Sequence, residues 1–360
     1  MKKILFLLIL LFPVPVFAYS ARNIIAMDMD TNRVLYESNA NDAHLIASIT
    51  KIMTATLAIE MKDIESEVTI TNTVLKSFGS GIYVEIGEKM TLKDLLYGLM
   101  LRSGNDAALA IAEFVGGDVE TFVEFMNAKA AEIGMKNTHF INPHGLENNK
   151  GEGNTSTAYD MALLSSYAMQ NEAYKQIVST KNYVAKSDKK TYSWTNKNKM
   201  LSLYEYTTGG KTGYTEKAKK TLVSTASKEG GNITIVTLND PNDWEDHKDL
   251  YETLFKEYHL EKIIDKNDFK IDGENYYKKD TLYIEEDVSI LLKEGEKENI
   301  SLDINLQKKE SYEEDSRVGS IKVKLNDTVL KEVGVYVKLD TPKEKPKNIF
   351  EKILGWFKHD

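Results

Sequence analysis

The sequence predicts a mixed α/β (α+β) domain over residues 19–264 and a small all-β domain over residues 265–340. An export segment at 1–18 precedes them, and a linker with an amphipathic helix at 341–360 follows. Three observations carry this division. Helix-period and strand-period segments interleave as far as Ile264. After Asp265 apolar and polar residues alternate at period two. The last twenty residues then join a Pro/Lys stretch to a one-sided apolar run. A chain of 360 residues suits two domains.

Taken in order, Lys2 and Lys3 form a short basic region, and Ile4–Phe12 is an apolar run of nine. Pro13 and Pro15 break the run, and Val16-Phe17-Ala18 offers small residues at a cleavage site. This is the pattern of a secretory signal cut after Ala18, since a membrane span needs about 20 apolar residues. Asn23–Met29 and Arg33–Glu37 read as strands around the turn Asp30-Thr31-Asn32. Ser48–Lys62, Thr91–Leu101, Asp106–Val115 and Glu120–Ile133 read as helices. Lys181–Lys190 reads as a charged loop. Thr221–Ser227 and Ile233–Leu238 read as strands, and Trp244–Ile264 as one long closing helix.

In the second domain Ile300, Leu302, Ile304 and Leu306 alternate with polar residues. So do Ile321, Val323 and Leu325, and then Val333, Val335, Val337 and Leu339, with Asn326-Asp327 as a turn. The pattern indicates antiparallel strands with one wet face, and a role in spacing or docking. Within Asn348–Asp360 Ile349, Phe350, Ile353, Leu354, Trp356 and Phe357 fall on one helical side. With five lysines and three acids from Thr341 on, the tail suits an interfacial helix on a membrane surface, against the alternative of packing on the protein's own core.

Composition excludes several function classes. The net charge of −9 argues against a generic nucleic-acid binder. The absence of cysteine excludes disulfides, thiolate metal sites and a cysteine nucleophile. The six histidines are scattered without a His-x-x-x-His pair, so no metal and no cofactor is expected.

Three short motifs could carry chemistry. Ser48-Ile49-Thr50-Lys51 is Ser-x-x-Lys at a helix start, where positions i and i+3 share a face. A serine hydroxyl is a weak nucleophile, and a desolvated lysine can act as its base. A second match, Ser187-Asp188-Lys189-Lys190, lacks an apolar flank to desolvate its lysine and reads as chance. Ser103-Gly104-Asn105 sits in a polar break between apolar helices and could be a plain capping turn. Lys211-Thr212-Gly213 occurs once, ahead of Tyr214-Thr215, where glycine lets a substrate backbone come close. His144, in Asn142-Pro143-His144-Gly145, reads as a turn residue rather than a catalytic base.

The three motifs in this order, spaced by 55 and 108 residues, are the signature shared by penicillin-binding proteins and class A β-lactamases. From about Asn23 to Leu260 the chain resembles the low-molecular-mass D-alanyl-D-alanine carboxypeptidases, peptidase family S11. Asn142–Leu146 and Ser156–Ala162 join the resemblance; Ile46 and Tyr214 depart from the residues often seen there. No Glu-x-x-x-Asn deacylation element lies between Asn105 and Lys211, which sets the chain apart from class A β-lactamases.

The resemblance implies a β-lactamase/transpeptidase-like catalytic domain acting on peptidoglycan pentapeptide stems, with β-lactams as covalent inhibitors. It implies Ser48 as nucleophile, Lys51 as general base and Ser103 as proton relay. Asn105 would bind Lys51 and substrate, and Lys211, Thr212 and Thr215 the terminal carboxylate. The backbone N–H groups of Ser48 and Tyr214, the latter beside Gly213, would form the oxyanion hole. Together with the export signal, it implies an enzyme peripheral on the outer face of the cytoplasmic membrane.

Overall fold

A computed structural model describes residues 19–271, 274, 276–308 and 311–339. The expected export segment and the expected tail helix lie outside the described residues.

β1 (Asn23–Asp28) and β2 (Val34–Ser38) form the first hairpin, and Asn32 takes a positive φ of 56° in its turn. A two-residue β3 (His44–Leu45) leads into a 3-10 turn, Ala47–Thr50, that runs directly into α1 (Lys51–Met61). The expected helix from Ser48 therefore starts with a tighter turn. In α1 every residue from Lys51 to Ala58 is buried, so the helix is covered on all sides rather than amphipathic. β4 (Glu67–Thr69) pairs with β5 (Lys89–Thr91), and α2 (Leu92–Arg102), α3 (Asn105–Gly116) and α4 (Val119–Ile133) follow. Thr91 and Asp118 cap α2 and α4 by accepting N–H bonds from Asp94 and Thr121.

β6 (Thr155–Ser156) pairs back to β3. α5 (Ala158–Ala168) and α6 (Glu172–Ser179) come next. β7 (Asn182–Lys186) and β8 (Thr191–Thr195) then form a hairpin where a charged loop was expected. The reason is an alternation hidden among the lysines: Tyr192 and Trp194 are buried, and Tyr183 stacks on Tyr97 with ring centroids 3.6 Å apart. After the one-turn α7 (Met200–Leu203) come β9 (Thr207–Thr215), β10 (Lys219–Lys228) and β11 (Gly231–Leu238). These complete a five-stranded sheet of order β2-β1-β11-β10-β9, and α8 (Asp243–Glu257) follows.

The long closing helix expected to Ile264 ends at Glu257. Tyr258–Ile264 is instead a strand, β12. Its residues pair antiparallel with β14 (Val288–Lys293), which follows β13 (Thr281–Tyr283), from Tyr258↔Lys293 to Ile264↔Val288. A long-range partner overrode a pattern that is helical only locally.

The chain divides into two compact units. Among the described residues, one holds 19–26, Tyr36–Thr225 and Ile235–Leu250; the other holds Met27–Leu35, Ala226–Thr234 and those from Tyr251 on. In the second, β15 (Ile300–Leu306), β16 (Ser316–Leu325) and β17 (Thr328–Lys338) join β13 in a sheet of order β13-β17-β16-β15. Its core gathers Ile264, Val288, Ile290, Ile321, Val323 and Val335. The β16–β17 turn falls at Asn326-Asp327 as expected, with Asn326 at φ 53°. Leu302 and Ile304 were expected to face the core but are 45% and 39% exposed. They sit on the edge strand β15, whose apolar face is covered less than that of its neighbour β16. No helix among the described residues is long and apolar enough to cross a membrane.

Candidate active site

The 3-10 turn explains why Ser48 and Lys51 meet. At three residues per turn, positions i and i+3 eclipse. Lys51 Nζ lies 3.0 Å from Ser48 Oγ, 2.7 Å from Asn105 Oδ1 and 2.6 Å from the His144 carbonyl oxygen. All three partners are neutral, and Lys51 is fully buried. Burial holds its amine well below the ordinary lysine range, and the charges of Lys211 and Lys197 lower it further. A neutral amine has two N–H groups and one lone pair. With the amide and carbonyl oxygens taking the N–H groups, the lone pair is left for the Ser48 hydroxyl proton.

The backbone around Ser48 is unusual. Ala47 adopts a positive φ of 47°. Thr221 Oγ1 on β10 donates to the Ile46 carbonyl at 3.1 Å. Two glycines let other segments approach. A Cβ on Gly145 (φ 91°) would sit 1.9 Å from the Ala47 carbonyl oxygen. A Cβ on Gly213 would sit 2.9 Å from the Ser48 nitrogen, so β9 runs directly past that N–H.

The polar break between α2 and α3 caps α2 through its backbone, the Ser103 N–H bonding the Gly98 carbonyl, and leaves the side chains free for other partners. Ser103 ends α2 in the left-handed region at φ 62°, and Gly104 precedes α3 without any side-chain cap bond. Asn105, the first residue of α3, instead receives Lys51 on its oxygen and donates Nδ2–H to the Phe78 carbonyl at 2.6 Å. Asp106 is a residue to which the sequence reading assigned no role. Its buried carboxylate accepts N–H bonds from Ile82 (3.0 Å), Tyr83 (2.6 Å) and Ala107 (2.9 Å). It ties the 79–84 loop to α3, and the Ser80 carbonyl in turn accepts the Asn105 N–H at 2.8 Å.

Lys211 lies in β9, buried to 1% exposure. Its Nζ donates to Ser103 Oγ at 3.1 Å and to the Thr212 carbonyl at 2.6 Å. Burial, with Lys197 adding, pushes it down to about 7. Thr212 and Gly213 are half-buried, and the Tyr214 side chain is exposed and donates to Glu216. The Thr215 hydroxyl donates to Glu147 Oε1 at 2.5 Å and accepts the Ala218 N–H. Hydrogen bonds thus join Ser48, Lys51 and Asn105 in one group and Ser103 and Lys211 in a second, while the Thr215 hydroxyl bonds Glu147.

His144 contributes through its backbone. Its ring Nδ1 accepts the Leu146 N–H at 3.1 Å, and burial pushes the ring down to about 3, so it stays neutral. The turn that offers its carbonyl to Lys51 is pinned by Asn154. The Asn154 amide donates to Thr50 Oγ1 (2.9 Å) and to the Asn142 carbonyl (2.9 Å), and accepts the Ile141 N–H (2.7 Å). Asn154 and Glu147 carry no local signal of these roles, because their partners lie in other segments.

Similarity to known proteins follows the same outline. The family model described as D-alanyl-D-alanine carboxypeptidase, peptidase family S11, matches residues 13–242. That of the C-terminal domain of penicillin-binding protein 5 matches residues 258–343. The D-alanyl-D-alanine carboxypeptidase DacF of Bacillus subtilis is 32% identical over 364 residues, spanning 95% of this chain and 91% of that one. The crystal structure of a D-alanyl-D-alanine carboxypeptidase of Mycobacterium tuberculosis superposes with a TM-score of 0.64 at 33% identity, covering 68% of this chain and 94% of that one. Penicillin-binding protein 5 of Haemophilus influenzae shares the fold, with a TM-score of 0.72 at 23% identity over 90% of this chain and 98% of that one.

Proposed function

The chain belongs to the serine-type D-alanyl-D-alanine carboxypeptidases of peptidase family S11, and from that premise we propose how its own residues carry the reaction. Ser48 Oγ attacks the carbonyl carbon of the penultimate D-alanine of a peptidoglycan pentapeptide stem, and its proton passes to neutral Lys51. The N–H groups of Ser48 and Tyr214 stabilise the oxyanion. Ser103 passes its proton to the nitrogen of the departing D-alanine and takes the one held by Lys51, which leaves the stem as an ester on Ser48 and the Lys51 amine neutral again. Water, deprotonated by Lys51, then hydrolyses the ester. Lys211 and Thr212 hold the terminal carboxylate, and Thr215 joins them on releasing Glu147. A penicillin meets the same attack, but its ring nitrogen stays tethered, so the acyl-enzyme persists.

The observation that carries this reading is the Lys51 environment, three neutral oxygens around a fully buried amine with Ser48 Oγ at 3.0 Å. Mass spectrometry of pentapeptide muropeptides incubated with the protein tests it. Loss of a single alanine is the expected product; unchanged pentapeptides overturn the reading.

We place the enzyme outside the cytoplasm, exported by residues 1–18 and resting on the membrane through the apolar side of Asn348–Asp360. Six large apolar side chains support the anchor, each contributing ~1.5–3 kcal/mol when fully buried, before ordering costs. Truncation after Asp340 is expected to abolish co-sedimentation with anionic vesicles while leaving activity intact. Recovery of the full-length mature protein in the supernatant would overturn the anchor.

A further inference from the structure

Ser20 sits on two carboxylates, Asp240 and Asp246. The Ser20 N–H donates to Asp246 Oδ2 at 2.6 Å. Ser20 Oγ lies 2.8 Å from Asp240 Oδ1 and 2.9 Å from Asp246 Oδ2, bridging the two acids. Asp240 is fully buried, and its second oxygen, Oδ2, has no hydrogen-bond partner. The ring of Tyr19 packs edge-on against Tyr36, with centroids 5.2 Å apart. A buried acid beside a second acid, with one oxygen unpartnered, is a site built for a cation.

We propose that cleavage before Tyr19 creates an α-ammonium that docks on Asp240 and Asp246, so that export processing fastens the chain start to the loop after β11 and to α8. The proposal rests on the export reading above. Hydrolysis of the Ala18–Tyr19 bond by an export peptidase puts the water's oxygen on the Ala18 carbonyl carbon, which leaves as a carboxylate. The Tyr19 nitrogen keeps the electron pair of the broken bond and takes up protons to become –NH3+. That nitrogen lies three bonds from the Ser20 nitrogen, roughly 3–4 Å away, within reach of the acids that already hold Ser20.

The surrounding charges leave this place to the new terminus. Lys220 on β10 spends its ammonium on Asp243 (3.0 Å) and the Pro241 carbonyl (2.9 Å). His247 on α8 is fully buried between Ser224 and Thr237, and burial pushes it down to about 3. Tyr36 on β2 is raised by burial and by Asp246. Asp240 is pushed up to about 6, by burial first and by Asp246 as well, against the hydrogen bonds it accepts from Ser20 and the Asn242 N–H.

The test uses the mature chain released from a fusion so that Tyr19 is its first residue. A chain with one extra alanine before Tyr19 and the Asp246→Asn variant accompany it. The native Tyr19 amine, followed by pH-dependent acylation and mass spectrometry, is expected to titrate about one unit above its ordinary value near 8. A group raised in the fold stabilises below its unfolded value and loses that stabilisation as pH rises through its folded one. The mature chain should therefore melt about 2–4 °C above the alanine-extended chain at pH 7, with the gap closing above about pH 10. In Asp246→Asn the gap should shrink and the amine return toward its ordinary range, with penicillin labelling unchanged. An ordinary amine in the mature chain, with equal melting of both forms, overturns the docking. Amino-terminal sequencing of the naturally exported protein separates the two layers. A start other than Tyr19 overturns both the cleavage site and the coupling to processing, whatever the released chain does.

Discussion

Two regions of this molecule carry the same four-residue pattern and differ in everything that makes it reactive. Ser48 and Lys51 lie on a 3-10 turn entering a buried helix, with the amine fully buried and 3.0 Å from the hydroxyl. Ser187 and Lys190 lie in the turn between β7 and β8. There Ser187 Oγ accepts the backbone N–H groups of Lys189 (3.2 Å) and Lys190 (3.1 Å). The Lys190 amine points away, to the Tyr83 carbonyl (2.8 Å) and Glu85 (3.0 Å). The Lys190 amine donates to a carboxylate and a carbonyl, away from the Ser187 hydroxyl, and has no lone pair aimed at it. The Lys51 amine, buried among neutral oxygens, has one for the Ser48 hydroxyl. The motif supplies atoms, and desolvation supplies the base.

The largest effect expected from this contrast is at the nucleophiles. Ser48→Ala should abolish covalent labelling by penicillin, and Ser187→Ala should leave it intact. Labelling that survived in Ser48→Ala would break the comparison outright. Next in size is the base: Lys51→Met should slow acylation by about 10²–10⁴-fold, the usual worth of general base catalysis. Lys190→Met, measured by the same stopped-flow assay, should not slow it.

The pH dependence sharpens the contrast further. Lys211, pushed down to about 7, must be protonated to hold a carboxylate. For free enzyme, kcat/KM on a D-Ala-D-Ala peptide should fall about tenfold per pH unit above that value. Lys51 must be neutral to act, so the opposite, acid limb belongs to it and should vanish in Lys51→Met. A flat alkaline profile would remove Lys211 from carboxylate binding.

Smaller again is Asp106→Ala. It frees the N–H groups of Ile82 and Tyr83, costs about 1–3 kcal/mol in denaturant unfolding, and lowers kcat/KM through a loosened Asn105. Unchanged kinetics would show that the loop does not position Asn105. The smallest effect belongs to Lys190→Ala, which breaks an exposed pair with Glu85. It should move Tm by no more than about 2 °C.

Much of this was legible in the chain itself. Helix and strand periods located α2, α3, α4, β10 and β11 to within about two residues, because those segments carry their apolar pattern locally. Three motifs named Ser48, Lys51, Ser103, Asn105 and Lys211, residue types whose chemistry is explicit. Less was legible where a distant partner decides. The strand β12 looked helical until β14 is placed beside it, and the β7–β8 hairpin was hidden by its lysines.

Residue identity and spacing by themselves determined which nucleophile, base and cation this protein owns, and that a β-rich domain follows the first. Those properties belong to side chains one at a time. Only the tertiary structure decided that the His144 carbonyl and not its ring meets Lys51. It also decided that Asp106, Asn154 and Glu147 support the site, and that Asp240 and Asp246 converge on Ser20. A pKa is set by desolvation and by charges brought from segments tens to hundreds of residues apart, and no local pattern records those neighbours.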